Sequence, residues 1–133
     1  MSTNILALPV AQMTIETGCN EDWIDSIVYL IDSTDPDSPQ LDLHGIEFEM
    51  EVRRRPPDHE VILQASTKNG TIAIGTPPDF GYLIIMVPLE EMETKSPGQY
   101  VGDIRAKDDE FTRICVQFDL TLVQGITRGV VVR

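Results

Sequence analysis

Lysine and arginine are missing from the first 52 residues of this 133-residue chain, a stretch that holds eleven acids. The other eleven acids and all ten bases follow, for a net charge of −12. Such an excess repels phosphate backbones and argues against direct nucleic-acid binding. The acidic half reads either as a solvated face or as a patch that meets a basic neighbour or divalent cations in an assembly. Histidine is almost absent: His44 and His59 both flank loops, and neither belongs to a Ser/His/Asp or Cys/His arrangement. Two cysteines, Cys19 and Cys115, are too few for a structural zinc site or a disulfide framework. They leave a single bridge or two buried thiols. Apolar runs never approach the roughly 20 residues that cross a bilayer, and Met1-Ser2-Thr3-Asn4 lacks a basic signal region, so no membrane partner is expected. Aromatics are scarce, with one Trp, three Tyr and four Phe, which leaves little for a carbohydrate-stacking platform. Trp23 is expected in a core.

The organising stretch is 45–53, Gly-Ile-Glu-Phe-Glu-Met-Glu-Val-Arg. Ile46, Phe48, Met50 and Val52 alternate with Glu47, Glu49, Glu51 and Arg53. Period two is the period of a strand with one buried and one wet face, and its apolar face needs a second layer. An apolar arm (1–9) leads into a first strand (10–16). Residues 23–32 form a second strand with apolar side chains in both registers, which a bulge or two-sided burial would explain. A loop follows at 33–42, and prolines end the organising strand after Arg55. Strands at 60–66 and 71–74 flank Asn69-Gly70 and read as a hairpin. Further strands are expected at 82–88, 99–107 and 111–123, with one helical turn at 89–94. Seven to nine short strands with almost no helix specify an all-β fold, an antiparallel β-sandwich of immunoglobulin-like type. Residues 10–125 make the domain and 126–133 an extended tail. Pro97-Gly98-Gln99-Tyr100 has the form of a tyrosine corner, in which a hydroxyl ties down nearby backbone.

Chemistry-bearing patterns are few. No phosphate loop, dinucleotide fingerprint or nucleophile elbow occurs. Asp32, Asp35 and Asp37 have calcium-like spacing without the loop glycine or closing glutamate, so they read as turn residues. Glu47 and Glu49 share a strand face about 7 Å apart, a spacing that suits two carboxylates in sugar chemistry, yet chance supplies such pairs in so acidic a chain. The expectation is therefore no enzyme, no cofactor and no metal. Arg53, Arg54 and Arg55 form the one basic run. They read either as cross-strand ion pairs or as a dock for the acidic half of another copy. Ile5, Leu6 and Leu8, and Val130, Val131 and Val132, are apolar and terminal, and are expected to add to neighbouring subunits.

Residues 20–128 resemble small structural proteins of tailed bacteriophages and prophages with immunoglobulin-like or upper-baseplate-like sandwiches. The resemblance lies in Glu21-Asp22-Trp23, the 41–53 stretch, Ser66-Thr67-Lys68-Asn69-Gly70-Thr71-Ile72-Ala73-Ile74, Pro97-Gly98-Gln99-Tyr100-Val101-Gly102-Asp103-Ile104 and Ile126-Thr127-Arg128. It implies a virion component of tail, baseplate, neck or capsid surface, made in the host cytoplasm. Its partners would be other virion proteins, in a homo-oligomer or larger assembly. The alternative is a surface or secreted β-sandwich module that binds glycan or protein.

Overall fold

A computed structural model describes residues 8–32, 34–56 and 59–125. Eight strands and one helical turn follow one another in the order β1 Ala11–Gly18, β2 Trp23–Val28, β3 Glu47–Arg53, β4 Leu63–Ser66, β5 Ile72–Ile74, β6 Tyr82–Val87, α1 Leu89–Met92, β7 Gly98–Lys107 and β8 Thr112–Val123. They build an all-β sandwich. One sheet has five strands in the order β1-β8-β7-β3-β4, and the other has three in the order β2-β6-β5.

Strand β3 behaves as its alternation dictates. Phe48, Met50 and Val52 are buried, and Glu47, Glu49, Glu51 and Arg53 line the outer face. The inner faces meet around Trp23, whose ring stands edge-on to Phe118 at 6.1 Å between centroids. The Trp23 indole N–H donates to Asp25 Oδ2 at 2.7 Å, so the one polar atom of the ring is satisfied. Tyr29 reaches from the end of β2 across the sandwich, its hydroxyl donating to the Cys115 carbonyl at 2.9 Å. That carbonyl lies where the β7–β8 register shifts, between Ile104 and Arg105. The extra residue of the bulge lets Cys115 and Val116 both be buried in succession. Both cysteines are free and buried, and burial pushes the Cys115 thiol up to about 11.

The tyrosine corner forms as expected. Tyr100 is buried and its hydroxyl donates to the Ser96 carbonyl at 2.6 Å, fixing the chain between α1 and β7. Tyr100→Phe should lower the unfolding free energy by about 1 kcal/mol with an unchanged denaturant slope, as read by urea titration. Helix α1 has no capping side chain of its own, and Asp22 supplies one from the β1–β2 turn by accepting the Leu89 N–H at 2.7 Å.

Three expectations are corrected. Strands β4 and β5 do not form a hairpin: β4 pairs with β3, and β5 pairs with β6 in the other sheet. Only Gly70 of the Asn69-Gly70 pair has positive φ (81°), whereas a primed hairpin turn of that composition needs it at both. The Asn69 carboxamide oxygen instead accepts the Thr71 N–H (3.0 Å) and the Ser66 N–H (3.3 Å), tying both ends of the crossing between layers. The first strand runs to Gly18 and pairs parallel with β8, so the sandwich is antiparallel everywhere but at this edge. Strand β2 has neither a bulge nor two-sided burial. It ends at Val28, and its second apolar register faces out, with Ile24 67% exposed and Val28 42%.

Candidate interaction surfaces on the two outer faces

The outward register of β2 belongs to an uncharged, largely apolar face. Ile24 pairs with Met86, Ser26 with Ile84 and Val28 with Tyr82. Ala73 of β5 pairs with Ile84 on the far side. None of these seven side chains is charged, in a chain whose net charge is −12. Exposed leucines and isoleucines scattered singly are normal on proteins, but a contiguous apolar face rimmed by polar residues is characteristic of contact surfaces.

The outer face of the five-stranded sheet has the opposite character. Strand register aligns Gln64, Glu51, Asp103, Gln117 and Gln12 side by side across all five strands. The neighbouring row runs Arg53, Val101, Asp119 and Thr14. All of these but Gln64 and Thr14, together with Pro56 and His59 of the loop after β3, line a groove of about 580 Å³. Arg53 Nη2 donates to Glu51 Oε1 at 2.6 Å, and Nη1 donates to the His59 carbonyl at 2.9 Å, holding the loop against the sheet. Gln12 Nε2 donates to Gln117 Oε1 at 3.0 Å.

Asp103, at the centre of the groove, accepts no hydrogen bond and makes no ion pair at contact distance among the described residues. Burial raises its carboxyl above the ordinary value. Arg105 opposes the rise, Glu51 adds to it and Arg53 opposes it. A carboxyl whose folded pKa is raised holds its proton more tightly in the folded chain, so folding loses stability as pH rises. The loss begins at the unfolded value of about 3.9, ends above the raised folded value, and is present in full at neutral pH. Asp103→Asn should therefore raise the melting temperature at pH 7 and leave it nearly unchanged at pH 3, as read by calorimetry.

The arginine run does not act as one patch. Arg53 is in the groove, bound to an acid two residues back on its own strand. Arg54 lies over the Tyr100 ring, 5.2 Å from its centroid, and Arg55 is exposed. A cross-strand ion pair on this face joins Arg105 to Glu49, at 3.4 Å. Leu8 is 1% exposed and packs in the core instead of forming a free arm. Ile5, Leu6, Val130, Val131 and Val132 lie outside the described residues. Asp32 and Asp35 act as turn residues, accepting the N–H groups of Thr34 and Asp37. Glu47 and Glu49 share the outer face of β3, and Glu49 is engaged by Arg105. His44 is exposed and lies 3.0 Å from Asp42. No three His, Cys, Asp or Glu side chains among the described residues come together as a metal-binding group.

Sequence reasoning missed the groove. Its signal was the outward polar register of β7 and β8, Asp103 with Gln117 and Asp119, but only the cross-strand register joins these to Glu51 and Gln12. No protein-family model matches the chain, and no curated protein matches it either.

Proposed function

We propose that this protein is a non-enzymatic structural subunit of a tailed-phage virion, held in the particle by protein–protein contacts of its sandwich faces and edges. The observation that carries this reading is the uncharged outer face of the three-stranded sheet. Water-exposed Ile24, Val28 and Met86 gain by being covered, at about 25 cal/mol per Å² of apolar surface removed from solvent. The acids placed everywhere else keep the free subunit soluble until a partner covers that face. The resemblance to phage structural proteins supplies the setting.

The test is incorporation. A tagged chain expressed during particle production should co-purify with tailed particles at a fixed stoichiometry. The double variant Ile24→Lys with Met86→Lys should keep its melting temperature and lose incorporation about tenfold or more, the change that ~1.4 kcal/mol of contact energy produces. A chain that stays wholly in the soluble fraction, or a double variant that enters particles as the parent does, would overturn the reading.

A second reading, a surface or secreted binding module, is favoured by the groove on the large sheet. Phe118 borders that groove but turns its ring into the core beside Trp23 and is 4% exposed, so among the groove's described residues no Phe, Tyr or Trp ring is offered to a sugar, and the lining suits a protein side chain better.

A further inference from the structure

We infer that the groove on the five-stranded sheet is a receptor for an arginine side chain presented by a protein partner. The inference deepens the assembly reading by naming the chemistry of one contact. It stands on the pairing of charged and polar groups within the groove.

Two groups there are already engaged. The Glu51 carboxylate is held by Arg53, and the Gln117 carbonyl oxygen by Gln12. The carboxylates of Asp103 and Asp119 remain, on adjacent outward positions of β7 and β8. Asp103 pairs directly with Gln117, and Asp119 is two residues further along β8. Diagonal neighbours across an antiparallel pair have Cβ atoms about 7 Å apart, a span that one planar guanidinium bridges by offering N–H groups from opposite edges of its fork. The apolar side chains of Val101 and Pro56 line the same groove and give the methylene stem of an incoming arginine a surface to cover.

Competing ligands fit less well. A bound metal ion needs several donors converging on a point, and no such group exists among the described residues. A sugar is normally stacked on an exposed Trp, Tyr or Phe, and the described residues of the groove offer none. A phosphate or carboxylate would meet the carboxylates of Asp103 and Asp119, while the nearby guanidiniums of Arg53 and Arg105 are engaged by Glu51 and Glu49. A donor-only cation on an apolar stem matches what is left.

Asp103 also distinguishes a receptor from a structural residue. A carboxylate that held the fold together would lower stability when neutralised. Asp103 is half-buried, lies opposite Glu51 and has no hydrogen-bond donor of its own, so neutralising it relieves the isolated chain. Losing binding while gaining stability is the signature of a group kept for a ligand.

The experiment titrates the ¹⁵N-labelled full-length chain with the capped tripeptide acetyl-Gly-Arg-Gly-amide, with acetyl-Gly-Gln-Gly-amide as the neutral control. The arginine peptide should shift the amide resonances of Asp103, Gln117 and Arg53 saturably, and the glutamine peptide should not. Asp103→Asn should weaken binding about tenfold or more, equivalent to ~1.4 kcal/mol, while its melting temperature at pH 7 rises. Asp109→Asn, which removes the same charge at the exposed β7–β8 turn, should bind as the parent does. Shifts spread over the acidic surface, equal weakening by Asp109→Asn, or an Asp103→Asn protein that binds normally would overturn the inference. The tripeptide carries no assembly partner, so its binding is unaffected by the outcome of the incorporation test.

Discussion

Replacing Trp23 with alanine is expected to remove about 4 kcal/mol of stability, from a domain whose total is on the order of 5–15 kcal/mol. Trp23 is fully buried, and it is the side chain through which β2 of the small sheet meets Phe118 of the large one. Truncation leaves a cavity between two layers held apart by their own backbones, which collapse only partly into it. It also strips Asp25 of the indole N–H that it accepts at 2.7 Å. Trp23→Phe separates the two effects, because it keeps most of the ring contact and deletes the donor. That change should remove about 2–3 kcal/mol, the range of one lost hydrogen bond with a charged partner plus a small void. Urea unfolding followed by far-ultraviolet circular dichroism is the suitable measurement, since Trp23 is the only tryptophan and its fluorescence disappears with it. An alanine variant within about 1 kcal/mol of the parent would mean that the sheets do not pack through this residue.

Gly102→Ala is the second large effect, at about 3 kcal/mol. Gly102 sits on the inner face of β7 directly opposite Phe118 of β8. A Cβ there would stand 2.3 Å from Phe118 Cζ and 3.0 Å from the Glu51 carbonyl oxygen. The Phe118 ring cannot yield readily, because Trp23 stands edge-on to it. The glycine is therefore demanded by close approach, with no left-handed backbone involved. The remedy tests the mechanism: Phe118→Leu made together with Gly102→Ala should restore part of the loss. The pair should show a favourable coupling of about 1 kcal/mol or more in a double-mutant cycle. Purely additive losses would place the strain elsewhere.

These residues also separate what could be read locally from what could not. The alternation of Phe48, Met50 and Val52 with Glu47, Glu49 and Glu51 specified a strand and its buried face, because period two depends only on a residue's immediate neighbours. Tyr100 was legible for a similar reason, since its hydrogen-bond partner Ser96 is four residues away. The apolar residues in both registers of β2 were visible too, although the explanation proved to be an uncovered face and not double burial.

Local pattern was enough for an all-β chain, a wet and a dry face on β3, an acidic first half, and the corner at Tyr100. Tertiary structure alone decided that Asn69-Gly70 carries the chain from one sheet to the other, and that β1 joins β8 in parallel. It alone set Glu51, Asp103, Gln117 and Gln12 in one row beneath a groove. The reason is that face is a property of neighbouring residues, while register is a bargain among segments far apart in the chain, settled by how two whole layers pack.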